Sequence, residues 1–154
     1  MALATVESRV GQRVHAVVRK KPKALLVGLQ NEELPLELRD RELITVRAIL
    51  RNHGYDSWEA RSCSAALNEI QQQMFDLYIS DISFPMTDRE TYRNELAPFQ
   101  LNRILEVAYR GGRFNYTVIS DQRAEPELPG TVKVIWREQL TEDLPKYLDE
   151  LNGR

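Results

Sequence analysis

Five short strand-like runs, separated by polar loops and amphipathic stretches, limit what this chain can fold into. They fall at residues 24–27, 55–60, 77–82, 116–119 and 132–136. All five read as strands, the first and third with the composition of buried ones. Helical spacing lies between them. Leu43, Val46 and Leu50, with Ile44 and Ile49, give one apolar face over residues 39–52, with Asp40 as expected N-cap and Gly54 as stop. Ala66, Leu67 and Ile70 do the same up to residue 73, behind a Ser62 or Ser64 cap. A third helical stretch is expected over residues 88–111, opened by Asp88, broken near Pro98 and stopped by Gly111 and Gly112. Residues 121–130 hold two prolines and a glycine and read as loop. The last helix is expected to start at a Thr141 N-cap, with Pro145 tolerated only near its start. Strands alternating with helices predict right-handed βαβ units and a parallel sheet covered on both faces.

Residues 24–154 form this domain, and residues 1–23 read as an N-terminal leader. There Val6, Val10, Val14 and Val17 are spaced as one helical stripe, followed by basic residues. The 154-residue length suits a domain with its own core. A net charge of −2 supplies no general attraction to nucleic acid or to an anionic membrane. The single cysteine, Cys63, excludes an internal disulfide, and with His15 and His53 it makes no metal-ligand spacing. No apolar run approaches the roughly 18 residues of a membrane helix, so the cytoplasm is the expected compartment.

The run at 77–82 carries the chemistry. It ends in Asp81, placing a carboxylate at a strand's C-terminal end, where open α/β sheets collect their sites. Pro85 and Asp88 follow at fixed spacing. Together with Gly54-Tyr55, Glu59-Ala60, Ala66-Leu67 and Asp76-Leu77, this pattern resembles the response-regulator receiver domains of bacterial two-component signalling. The resemblance implies a flavodoxin-like five-stranded parallel sheet with helices on both faces. It also implies that Asp81 stands where the phosphoacceptor of a phosphorelay stands. Ser120, closing the fourth core strand, takes the position that contacts a phosphoryl oxygen, and Arg137, after the fifth, stands where the family carries lysine.

Two departures follow from the same comparison. Receivers place two acidic residues after the first core strand to hold Mg²⁺; here those positions are Gly28 and Leu29. Glu32, Glu33 and Asp40 lie close in sequence, and Glu32 and Glu33 could complete a metal site with Asp81 only if their loop folds back. Without a metal, Arg137 is the expected counter-charge of Asp81. The fourth helix of the family is degenerate, replaced by the loop at 121–130, and Val134 stands at the expected aromatic position.

The resulting reading is an atypical receiver-like signalling domain, a pseudo-receiver. It acts by protein–protein interaction and is not an enzyme. Its expected partner is a histidine kinase or another signalling protein, with a homodimer as a further option and no nucleic acid or membrane. No cofactor is expected, Mg²⁺ entering only if Asp81 accepts phosphoryl groups. Two alternatives stay open: a working receiver phosphorylated on Asp81, and a structural assembly domain like the wing of bacterial basic amino-acid decarboxylases.

Overall fold

The computed structural model describes residues 2–7, 13–18, 21–121 and 128–153. At its centre five parallel strands form the main sheet: β3 (Lys23–Val27), β4 (Asp56–Ala60), β5 (Leu77–Asp81), β6 (Asn115–Ser120) and β7 (Lys133–Trp136). Their spatial order is β4-β3-β5-β6-β7. Two further strands, β1 (Ala2–Glu7) and β2 (Arg13–Val18), pair antiparallel as a separate ribbon.

The ribbon corrects the helical stripe expected for residues 1–23. Val6 faces Val14 across it and Leu3 faces Val17, while Val10 lies outside the described residues. β-Branched residues lose side-chain freedom in a helix and fit a strand, and here that preference overrides a chance helical spacing.

Two helices pack on each face of the main sheet. On one side, α2 (Arg41–Asn52) and α5 (Leu140–Asn152) bury Leu43, Val46, Leu50, Leu144 and Leu148 against Leu26, Ile79 and Ile135. On the other, α3 (Cys63–Gln72) and α4 (Ala97–Ala108) bury Ala66, Ile70, Leu101 and Leu105 against Leu25, Tyr78 and Val118. All five residues of β5 are buried, as expected of a central strand covered on both sides. The large tyrosines of the α3/α4 side keep their hydroxyls satisfied: Tyr78 meets Tyr109 at 2.7 Å, and Tyr116 meets Ser80 at 2.6 Å.

The helix starts differ from the sequence expectation in instructive ways. Ser62 does cap α3, its hydroxyl accepting from the Ala65 amide at 3.1 Å. Asp40 precedes α2 but makes no side-chain capping bond, because a single turn, α1 (Leu36–Arg39), already leads into it. Asp88 caps no helix. The chain stays irregular until α4 begins at Ala97, and Asp88 instead accepts a 2.6 Å bond from Ser62. Pro98 does not break α4, since it lies in the first turn, where its missing N–H is not needed. A 3₁₀ turn at Arg137–Gln139 brings α5 in at Leu140, so Thr141 lies inside it and Pro145 is its sixth residue. The buried Leu140, Leu144 and Leu148 hold that helix through the lost backbone bond. Between β6 and β7 no helix appears among the described residues; residues 122–127 lie outside them.

Candidate functional site

Parallel pairing sets the site. Val27 lies beside Ser80, Asp81 beside Ile119 and Ser120 beside Trp136, so β3, β5, β6 and β7 end along one edge. Asp81, Ser120 and Arg137 therefore come to the same edge, and Asp81 and Arg137 line a cleft of about 720 Å³ there. Leu29, Leu34, Leu38, Tyr92 and Leu140 supply its apolar walls.

Asp81 is only 6% exposed, and both its oxygens are engaged. Oδ1 accepts from the Ile82 amide at 2.8 Å and from Nη2 of Arg137, the counter-ion expected from sequence. Oδ2 accepts from Nη2 of Arg93 at 2.7 Å. The same Arg93 nitrogen contacts the Gly28 carbonyl at 2.6 Å and the Ser83 carbonyl at 2.8 Å, and Nη1 donates to Gln30 at 3.1 Å. A buried carboxylate with two guanidinium partners and an amide has its charge compensated in place.

Arg137 carries two more carboxylates. Nε donates to Glu42 at 2.7 Å and Nη1 to Asp121 at 2.6 Å. Burial alone would lower the Arg137 pKa, but the Glu42 hydrogen bond and the Asp81 and Glu42 charges outweigh it and hold the guanidinium firmly protonated. Glu42 responds the other way. Burial pushes its carboxyl above the usual range, and the contacts with Arg137 only partly oppose this. A raised folded-state pKa gives stability that is complete below the unfolded value, near 4.5, and lost as pH rises through the folded value. Glu42→Gln should therefore match the parent protein in acid and exceed its stability increasingly toward neutral pH. Urea denaturation across a pH series measures this; a parent protein more stable at neutral pH would show that the Arg137 contact prevails.

The remaining sequence candidates divide. The Ser120 hydroxyl turns to the main chain, donating to the Asp121 carbonyl at 3.3 Å. Glu33 lines the cleft mouth. Glu32 does not fold back over Asp81. It forms a two-point pair with Arg61 at 2.9 and 2.8 Å, and that hydrogen bond lowers its pKa. Asp40 does not line the cleft. Among the described residues no group of three or more His, Cys, Asp or Glu side chains is placed to hold a metal ion.

Sequence reading missed Arg93, Glu42 and the Gly28 carbonyl. Arg93 sits in a polar, aperiodic stretch, and the only signal for it was that a buried aspartate without acidic neighbours needs positive charge.

No protein-family model and no curated protein sequence matches the chain. Solved structures do. The receiver domain of a sensor histidine kinase from Pseudomonas aeruginosa, with a magnesium ion coordinated in its active-site cleft, superposes with a TM-score of 0.63 at 16% identity, covering 88% of this chain and 100% of that one. A response-regulator receiver domain protein from Bacillus halodurans gives 0.58 at 14% identity over 85% and 97% of the two chains. A chemotaxis response regulator of Vibrio cholerae gives 0.54 at 19% over 88% and 98%. The fold is that of receiver domains, with the flavodoxin-like strand order of that class. Among the described residues no helix is long and apolar enough to cross a membrane.

Proposed function

We propose that this chain is a divergent member of the receiver family, a cytoplasmic signalling domain that works by binding another protein and does not accept a phosphoryl group on Asp81. The capping of both Asp81 oxygens by Arg93 and Arg137 carries this reading. An acylphosphate forms when a carboxylate oxygen attacks phosphorus, and that oxygen needs a free lone pair and an open line of approach. Here three bonds occupy most of the carboxylate's acceptor sites, and the two from guanidinium groups withdraw charge from both oxygens inside a cleft wall. The partner surface is the cleft mouth, where Leu34 (40% exposed), Tyr92 (68%) and the adjacent Leu36 (76%) offer apolar anchors. A signalling protein, a histidine kinase among them, or a second copy of the chain suits such a surface.

A titration with beryllofluoride and Mg²⁺, which together mimic a phosphoryl group on aspartate, tests the reading. Trp136 precedes Arg137 and reports through its fluorescence. No saturable change is expected. A saturable, Mg²⁺-dependent change that disappears in Asp81→Asn would instead establish a working receiver.

A further inference from the structure

The receiver fold implies a divalent cation beside Asp81, and the residues present do not fit one. Gly28, which ends β3, has φ +68°, and a Cβ added there would lie 2.2 Å from Cβ of Phe84. Leu29 is 4% exposed and packed into the α2/α5 core. Neither position can carry a carboxylate without displacing its surroundings.

We infer that the Arg93 guanidinium has taken the place of the metal ion, joining the exits of β3 and β5 through the oxygens of Gly28, Asp81 and Ser83. The geometry is that of a cation gathering oxygens. One nitrogen meets a carboxylate and two carbonyls at 2.6–2.8 Å, and the neighbouring nitrogen takes the Gln30 carbonyl. Mg²⁺ draws oxygens closer, to about 2.0–2.1 Å, and demands near-octahedral geometry. It would face a positive charge already seated on the same atoms. The guanidinium, unlike a metal, is covalently tethered and always charged, so the joint between the two loops survives chelation and moderate pH change.

The segment bearing Arg93 is built to deliver it. Phe84 and Asn94 exchange backbone bonds of 3.4 and 3.0 Å, which closes the intervening loop. The start of α3 holds that loop from outside: the Cys63 amide donates to Pro85 at 2.9 Å, the Ser64 amide to Met86 at 3.0 Å, and Arg61 reaches the carbonyls of Asp88 and Glu90. Arg93 is thus pre-positioned, with its side chain only 9% exposed.

The assignment deepens the proposed function and rests on its premise that Asp81 is capped, but the two can fail separately. Mn²⁺ is the probe, its free-ion paramagnetic resonance signal reporting uptake, alongside melting temperature in Mg²⁺ and in chelator. The parent protein is expected to leave the Mn²⁺ signal undiminished and to melt at one temperature in both buffers. Arg93→Ala and Arg93→Met should each lower that temperature by roughly 5–10 °C. Methylguanidinium should return part of the loss to Arg93→Ala, beyond the effect of sodium chloride at equal ionic strength. Saturable Mn²⁺ uptake by the parent protein that Asp81→Asn abolishes would overturn the assignment. So would both Arg93 variants melting with the parent. Should either variant fail to fold, the parent Mn²⁺ titration decides alone. Beryllofluoride taken up at Asp81 with no Mn²⁺ bound would sink the proposed function and leave the role of Arg93 standing.

Discussion

Replacing Asp81 with alanine is expected to lower the unfolding free energy by about 3–5 kcal/mol, the usual consequence of removing one member of a buried ion pair. Arg93 is the residue left stranded. Its side chain is 9% exposed, and among the described residues Asp81 is the one carboxylate hydrogen-bonded to it, the other acceptors being neutral carbonyls. Arg137 suffers less, because Glu42 and Asp121 remain. Asp81→Asn should cost less than Asp81→Ala, since it keeps an acceptor oxygen while losing the charge. Urea denaturation measures both, provided the dependence on denaturant concentration stays unchanged. The sign itself discriminates. Where several carboxylates crowd one another, removing one relieves repulsion and raises stability. A gain in Asp81→Ala would therefore mean that repulsion dominates this site and that the guanidinium caps are dispensable.

Gly28→Asp, which restores a carboxylate where receivers carry one, is expected to destabilise by about 2–5 kcal/mol, with no return in metal affinity. Two costs combine. A left-handed backbone at φ +68° penalises any residue with a Cβ by roughly 1–2 kcal/mol. Overpacking adds about 1–3 kcal/mol, because the new Cβ would lie 2.2 Å from Cβ of Phe84 and 2.9 Å from its Cγ. Phe84 is fully buried and cannot swing away. Gly54→Asp is the control. Gly54 has φ +83° with nothing within 4 Å of the added atom, so it incurs the backbone cost alone. Equal losses at the two glycines, in melting or urea experiments, would show that Phe84 yields and that the β3 exit is open to an acidic residue.

The sheet was legible because its signal is local. Burial on both faces left β5 apolar from Leu77 to Ile79, and a strand on either side of it follows from alternating periods of two and 3.6. Asp81 at its end and Arg137 beyond β7 could be paired on charge grounds alone. Arg93 could not, because its position depends on the loop from Ile82 to Leu96, whose path is set by backbone bonds to α3 and by the Phe84–Asn94 bridge. Nothing periodic in the sequence records such bonds. Asp88 misled for a related reason. A carboxylate ahead of a helical stretch looks the same whether it caps its own helix or, as here, receives a bond from Ser62 at the head of another. The valines of the first 18 residues erred differently: spacing suggested helix while residue type favoured strand, and residue type prevailed.

Arg137 has a consequence for the order in which the domain matures. Its bonds reach Asp81, 56 residues back, and Glu42, 95 residues back, while α5 follows immediately behind it. Contacts of such separation form late, since the intervening chain must close first. During synthesis the first four core strands can leave the ribosome with Glu42 and Asp81 already near one another and no Arg137 to reconcile them. Until Arg137 arrives, the nascent domain holds a site of mismatched charge. The cleft is thus completed only once Arg137 and α5 have been made, so a product truncated before Arg137 cannot present the finished surface to a partner.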